Sequence, residues 1–167
     1  MAGGFNYLPD PSSEKASSIG GNAATNAGGP HTLASGVTTN HVTGLELVTA
    51  DGEIVQTGSL SSGISEAGYD LTGLLVGSEG TLGIITKIAI RLVHQLESVR
   101  TMLAIFSSVD LACRAVSEII GNGIVPTAME LMDQICVQAV SKWMPSAELP
   151  QEAGAILIIE VEGITDG

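Results

Sequence analysis

The chain has 167 residues, a net charge of −12 and a mean hydropathy of +0.37. This length fits one domain or two small lobes, and a hydrophobic content of 44% is too high for a mainly disordered chain. With 6 basic residues against 18 acidic ones, the chain lacks the positive surface that nucleic acids and anionic membranes require. We expect no transmembrane helix, because no apolar run reaches about 18 residues. Residues 1–10 do not have the pattern of a signal peptide.

The chain contains two cysteines, Cys113 and Cys136, and both lie in apolar helical patterns. We expect buried and unpaired thiols, not a disulfide framework or a metal site. This favours a reducing compartment, and we expect a cytoplasmic protein.

Residues 1–97 are rich in glycine and threonine and predict short strands and loops. A helical stretch over 22–27 follows Gly20-Gly21 and is stopped by Gly28, Gly29 and Pro30. Two strands over 42–49 and 53–57 flank Asp51-Gly52, which is a strong hairpin signal. A short helix over 70–76, capped by Asp70, and a half-buried strand over 84–93 complete this part.

Residues 98–167 alternate between strand and helix patterns. In chain order they predict a strand, a helix, a strand, a helix capped by Asp133 and a strand, over 99–106, 111–120, 129–131, 133–143 and 155–161. This order predicts an α+β layer. Nothing follows the last strand to cover it, so we expect an exposed apolar face and self-association.

Two glycine-rich segments carry the clearest chemical signal. The first glycine segment is residues 18–29 (SIGGNAATNAGG), and the second is residues 77–83 (GSEGTLG). Glycine lets the backbone approach a ligand and lets N–H groups point at negative oxygens. Lys15 is the only Lys or Arg before Thr86, so backbone amides would have to do most of the binding of a phosphate compound. Neither segment is a P-loop or a Rossmann fingerprint, and the pattern alone leaves open that these glycines serve turns.

The same residues resemble a known family. The motifs PDPSS (9–13), SIGGNAATNAGG (18–29), GVTTN (36–40) and GYDLTGLLVGSEGTLGIIT (68–86) are similar to those of the FAD-linked oxidases of the vanillyl-alcohol-oxidase type. The closest branch contains the glycolate oxidase flavin subunit and the D-lactate and D-2-hydroxyglutarate dehydrogenases. The resemblance implies an α+β fold in which residues 1–97 form the second lobe of a PCMH-type FAD-binding domain. Residues 98–167 would form the first part of a ferredoxin-like α+β substrate domain.

The resemblance also implies a cofactor, a reaction and a set of contacts. The cofactor would be FAD, and a small 2-hydroxy acid such as glycolate or D-lactate would lose a hydride to the flavin. No catalytic residue and no metal ligand is implied within this chain. The cofactor contacts carried over are Pro9, Asp10, Ser12, Ser17, Gly20, Gly21, Asn22, Thr25, Asn26, Gly28, Glu79, Gly80, Thr81, Gly83, Ile84 and Ile85.

Family members carry a further glycine-rich phosphate loop and metal-binding histidines that have no match here. We therefore expect the middle part of an oxidoreductase, inactive by itself. The alternatives are a non-catalytic module that assembles with partner chains supplying the missing lobes, and a small-molecule binder without a redox role. His41, beside Asn40, would lie near the flavin or would only satisfy hydrogen bonds of its loop.

Overall fold

The structure is a computed structural model that describes residues 4–61, 68–94 and 97–163. It divides into two compact units, Met1–Gln95 and Leu96–Gly167. Both units combine helices with antiparallel strands, and the predicted α+β class is confirmed.

The first unit is built on a small antiparallel sheet. Its elements are β1 (Phe5–Asn6), α1 (Ile19–Thr25), α2 (Thr32–Ser35), a 3-10 helix (Thr38–Asn40), β2 (Val42–Val48), β3 (Ile54–Gly58), α3 (Leu71–Leu75), β4 (Ile84–Ile90) and β5 (Val93–His94). The sheet order is β3-β2-β4, and β1 pairs separately with β5. The predicted hairpin is confirmed, since Leu45 lies opposite Thr57 and Val48 opposite Ile54.

The core of this unit lies on one face of the sheet. Leu45 and Leu47 point from β2 onto Leu75 and Val76 at the end of α3. Burying one such leucine contributes about 1.5–3 kcal/mol. The predicted cap of α3 is confirmed, because the Asp70 carboxylate accepts a hydrogen bond from the amide of Gly73 at 2.8 Å.

The structure differs from the sequence prediction at three places in the first unit. Helix α1 begins at Ile19 and therefore contains Gly20 and Gly21, because the Ser18 side chain caps it by accepting a hydrogen bond from the Gly21 amide. Helix α2 and the 3-10 helix were not predicted. The strand predicted over 84–93 ends at Ile90, where the Arg91 amide turns to the His41 carbonyl at 2.7 Å.

The second unit is a three-stranded sheet with two helices. Its elements are β6 (Ser98–Phe106), α4 (Val109–Gly121), β7 (Ala128–Asp133), α5 (Gln134–Trp143), a 3-10 helix (Pro145–Ala147) and β8 (Ala155–Gly163). The Asp133 carboxylate accepts a hydrogen bond from the Cys136 amide at 2.7 Å, which confirms the predicted cap of α5. This amide is the first cause of the lowered pKa of Asp133.

The prediction that the last strand lacks cover was wrong. Strand β8 is the centre of the sheet and pairs antiparallel with β6 on one side and β7 on the other. Strands β6 and β7 are therefore parallel to each other, as in a split β-α-β unit. Helix α5 separates β7 from β8, where the ferredoxin-like order has a direct β-β connection.

The core of the second unit surrounds β8. Val137 of α5 and Ile156 of β8 are completely buried, and they pack with Ala153. Apolar side chains nevertheless remain exposed on α5, where Ile135 is 76% and Trp143 82% exposed. The predicted apolar exposure thus exists, although its cause is not an unpaired strand.

The prediction of buried cysteines was also wrong. Cys113 and Cys136 are free and exposed. Each lies next to a fully buried residue, Ala112 and Val137 respectively. One step along an α-helix turns the side chain by about 100°, which takes each cysteine out of the buried stripe.

Candidate cofactor site

The loop over 9–13 lies directly on the end of the first glycine segment. A Cβ atom added to Gly29 would lie only 1.8 Å from the Asp10 carbonyl oxygen, so no other residue fits without movement. A polar side-chain contact adds to this one, since His31 Nδ1 is 2.9 Å from Asp10 Oδ2. Pro9 is completely buried beneath the loop, whereas Ser12 is exposed. Residues 10–16 and Pro30 line a cleft of about 430 Å³ that also contains Lys15.

The first glycine segment forms α1 and a left-handed turn. The helix ends at Asn26, which has φ 50° and ψ 49° and donates its amide back to Ala23. Asn22 is 7% exposed, whereas Thr25 is exposed and its hydroxyl donates to the Gly21 carbonyl at 2.9 Å. The segment thus buries Asn22 on one side of the helix and exposes the polar Thr25 on the other.

The two glycine segments meet at the end of α1. The amide of Gly77 donates to the Ala23 carbonyl at 2.8 Å, and the amide of Glu79 donates to the Ala24 carbonyl at 2.8 Å. A Cβ added to Gly77 would lie 3.2 Å from Asn26 Cβ, so the segments are also in close contact. Residues more than fifty positions apart in sequence are therefore hydrogen-bonded to each other, which fixes the two segments side by side.

The loop that contains the 3-10 helix Thr38–Asn40 supports the place where the two glycine segments meet. Thr38 is completely buried, and both its amide and its hydroxyl donate to the Ala27 carbonyl, at 3.1 and 2.7 Å. The Thr39 amide donates to Asn26 Oδ1 at 2.9 Å. These bonds hold the backbone of residues 26–27. Asn26 has a positive φ there although it is not glycine, a conformation that needs such support.

The second glycine segment is a tight turn that leads into β4. Glu79 and Gly80 both have positive φ, 50° and 78°, and the Thr81 amide closes the turn on the Ser78 carbonyl at 2.9 Å. Gly83 lies against β2, because an added Cβ would be 2.7 Å from Leu47 Cδ1. Ile85 packs against the core, whereas Ile84 is 65% exposed.

Among the residues that the structure describes, none sterically requires a glycine at position 20. Gly20 lies inside α1 without positive φ, and an added Cβ would meet nothing closer than Ser18 Oγ at 4.0 Å. A glycine inside a helix costs about 0.5–1 kcal/mol relative to alanine. The open space above Gly20 is therefore a place where a ligand can approach the backbone.

Charge plays a small part at this site. Lys87, which lies on β4, pairs with Glu46 at 2.9 Å on the face of the sheet opposite the core. The Lys87 ammonium, followed by the Gln56 amide, lowers the pKa of Glu46 below its usual 4.5. That cation is therefore engaged by a neighbouring carboxylate.

The structure thus brings the predicted residues of 9–28 and 79–85 into one unit and joins the two glycine segments. Sequence reasoning missed the Asp10–His31 pair and the bonds from Thr38 and Thr39. The GVTTN motif at 36–40 was the available signal, but the pattern alone gave its threonines no role.

Comparison with protein families gives matches to two domain families. Residues 2–58 match the FAD binding domain family, and residues 95–166 match the family of FAD linked oxidases, C-terminal domain. The two matches together define the class of the chain: an FAD binding domain and the C-terminal domain of FAD linked oxidases. The chain thus carries matches to both domain families of the FAD-linked oxidases, and the predicted cofactor of the family, FAD, is confirmed.

Individual relatives agree with this family. The glycolate oxidase subunit GlcD of Bacillus subtilis is 45% identical over 161 residues, which are 96% of this chain and 34% of that protein. The D-lactate dehydrogenase of Anaerostipes hadrus is 34% identical over 165 residues, again 96% of this chain and 34% of that protein. The chain therefore spans about a third of the length of these relatives.

Solved structures show the same fold. A crystal structure of alkyldihydroxyacetonephosphate synthase superimposes with a TM-score of 0.79 at 24% identity, over 98% of this chain and 33% of that one.

Among residues 4–61, 68–94 and 97–163, no helix combines the length and the apolar character needed to cross a bilayer.

The residues present fit an FAD dinucleotide. The joined glycine segments offer backbone groups, the exposed Thr25 and open space at Gly20, and the neighbouring loop over 9–13 adds the exposed Ser12. Ile84 offers an exposed apolar side chain beside them on β4. A dinucleotide has polar phosphates and an apolar ring, and both kinds of surface are present.

Proposed function

We propose that this chain forms part of the flavin site of an oxidoreductase that converts a 2-hydroxy acid, such as glycolate or D-lactate, to the 2-oxo acid. The observation that carries the proposal is the joining of the two glycine segments by the bonds from Gly77 to Ala23 and from Glu79 to Ala24. The names of the relatives, a glycolate oxidase subunit and a D-lactate dehydrogenase, support the substrate class. The bound flavin would supply the redox chemistry by accepting a hydride from the α-carbon.

In this proposal residues 1–97 are the C-terminal lobe of the FAD-binding domain, and residues 98–167 are part of the substrate domain. The loop over 9–13 and the first glycine segment would line the pyrophosphate and the flavin with backbone groups and short polar side chains. The second glycine segment and the start of β4 would run along the cofactor. The proposed contacts are Asp10, Ser12, Ser17, Gly20, Gly21, Asn22, Thr25, Asn26, Gly28, Glu79, Gly80, Thr81, Gly83, Ile84 and Ile85, with Pro9 as the buried support of its loop.

An FAD titration of the purified chain, followed by flavin fluorescence, tests this assignment. We compare the wild type with Gly20→Leu, which fills the open space above α1 without entering the core. The matched control is Gly121→Leu, at the end of α4, where an added Cβ also meets nothing within 4 Å. We expect Gly20→Leu to weaken binding at least about tenfold, or 1.4 kcal/mol, and Gly121→Leu to leave it unchanged.

Two results would contradict the proposal. One is a wild-type chain that shows no saturable FAD binding, and the other is an equal affinity of Gly20→Leu and wild type. If the chain binds FAD, stopped-flow bleaching of the flavin by glycolate and D-lactate tests the substrate class. Because this chain alone is expected to be inactive, bleaching by either acid would support the substrate class, and reduction by neither acid would leave the cofactor assignment unaffected.

A second candidate function is a non-catalytic module that assembles with other chains. The exposed Ile135 and Trp143 on α5 favour it, because a partner chain would remove these large apolar side chains from water. The flavin titration distinguishes the two, since a module of this kind need not bind FAD alone.

A further inference from the structure

His41 is the one histidine buried in the described residues, where it is 3% exposed. His94 is exposed and stacks on Phe5, and His31 is half-buried and paired with Asp10. His41 lies between the 3-10 helix and β2, directly behind the loop that holds the meeting point of the glycine segments. It is a buried titratable group to which the proposed function assigns no role.

The hydrogen bonds of His41 fix which ring nitrogen carries the proton. Nε2 is 2.8 Å from the Ser35 carbonyl oxygen, and a carbonyl can only accept, so Nε2 must donate. Nδ1 is buried and has no hydrogen-bond partner in the described part of the chain. An apolar side chain would fill the same space and would not leave an unpaired acceptor such as Nδ1. The hydrogen bond from Nε2 to Ser35 is therefore the reason for a histidine at this position.

The hydrogen bond from His41 Nε2 to the Ser35 carbonyl joins the two ends of the loop over 35–41. The same loop projects Thr38 and Thr39 forward, where they bind the Ala27 carbonyl and Asn26 Oδ1. The His41 carbonyl also accepts the Arg91 amide, so the residue is tied to the end of β4 through its backbone.

Tyr7 supports the loop from a second side. Its ring lies edge-on to His41, with centroids 6.1 Å apart and planes at 72°, and its hydroxyl donates to Thr38 Oγ1 at 3.1 Å. Thr38 in turn donates to Ala27. A continuous chain of contacts therefore runs from His41 and Tyr7 to the left-handed turn at Asn26.

We propose that His41 is a positioning residue for the cofactor site: its Nε2–H bond to Ser35 holds the loop through which Thr38 and Thr39 fix the Asn26 turn. The inference rests on the proposed flavin function, which makes that turn part of the cofactor site. It assigns His41 a role one layer behind the cofactor, without direct contact.

The test uses the full chain and four variants. His41→Leu removes the donor, and His41→Gln keeps an amide donor that can reach the Ser35 carbonyl. Tyr7→Phe removes only the hydroxyl that holds Thr38. His94→Leu is the matched control, since it makes the same change at an exposed histidine of the same unit.

Two measurements are made on each variant. Amide hydrogen exchange of Thr38 and Thr39, recorded by NMR without ligand, reports the loop itself. FAD titration reports the cofactor site. We expect His41→Leu to speed exchange and weaken FAD binding, each at least about tenfold, and His41→Gln to restore both to within about threefold of wild type. His94→Leu should change neither.

Several outcomes overturn the proposal. If Thr38 and Thr39 of His41→Leu exchange at the wild-type rate, the histidine does not hold the loop. If their exchange is faster but the FAD affinity is unchanged, the loop does not serve the cofactor. Equal defects in His41→Leu and His41→Gln would show that the ring only packs. If His41→Leu does not fold, His41→Gln decides, and exchange at Thr38 and Thr39 more than about threefold faster than in the wild type overturns the proposal. If wild type does not bind FAD, the proposed function fails while the exchange data still judge the loop.

Discussion

Replacing Gly29 by alanine tests the contact on which the candidate site is built. The added Cβ would lie 1.8 Å from the Asp10 carbonyl oxygen and 3.3 Å from Pro11 Cα. Since real Cβ contacts essentially never fall below 3.0 Å, the loop over 9–13 must move by more than about 1 Å. That movement would also stretch the Asp10–His31 pair.

The magnitude follows from two opposing terms. Forcing an extra methyl group into a packed backbone contact costs about 1–3 kcal/mol. Replacing glycine by alanine returns about 0.4–1 kcal/mol by restricting the unfolded chain. We therefore expect Gly29→Ala to lower the free energy of unfolding of the first unit by about 1–2 kcal/mol, or roughly 5–15 °C in Tm for a unit of this size.

The assay is a thermal melt with segment-resolved hydrogen exchange. Trp143, the single tryptophan, lies in the second unit, so its fluorescence follows that unit, while segment-resolved exchange follows the first. Gly20→Ala is the matched control, because it adds the same methyl group in open space and should raise stability by about 0.5 kcal/mol. The reasoning is refuted if Gly29→Ala melts with wild type, or if both glycine variants are destabilised alike.

Three further predictions concern other parts of the fold. The pKa of Glu46 is lowered in the folded state, so its contribution to stability is present above pH 4.5 and is lost as the pH falls through the folded-state pKa. Glu46→Gln should therefore flatten the acid side of a plot of the urea midpoint against pH, and an unchanged plot would contradict this. Ser18→Ala removes the cap of α1 and should cost about 1 kcal/mol, whereas Ser18→Asp should restore it, as judged by urea denaturation. Ile156→Ala should cost about 2–5 kcal/mol in the second unit, while Ile135→Ala should leave its stability within about 0.5 kcal/mol; comparable losses would disprove the assigned core.

The sequence predicted the elements whose signals are local. Asp51-Gly52 between β-rich runs specified the hairpin, and Asp70 and Asp133 marked their helix starts, because turn and cap chemistry depends on a few neighbouring residues. The start of α1 was misplaced because glycine normally argues against a helix, and the Ser18 cap outweighed that preference here.

The site could be predicted only in its composition. The two glycine segments are visible in the sequence, but their meeting through Gly77 and Ala23 depends on long-range packing that no local pattern reports. The exposure of Cys113 and Cys136 was missed for a related reason: an apolar helical pattern gives the buried stripe only to within about one residue. The bond from His41 to Ser35 likewise depends on how a whole loop closes.

The position of β8 has a consequence for the order of folding. Within the described residues, strands β6 and β7 do not pair with each other, and each pairs with β8, which follows both along the chain. The contact between Thr101 and Glu160 closes a separation of 59 residues. Strand β7 closes a shorter separation, since Ala128 also lies opposite Glu160, but both earlier strands gain their ladder bonds to β8 only after β8 is made, which is typical of slow sheet assembly. During synthesis, β6 and β7 would therefore leave the ribosome without partners, and a chaperone that binds apolar strands would have its best opportunity in that interval.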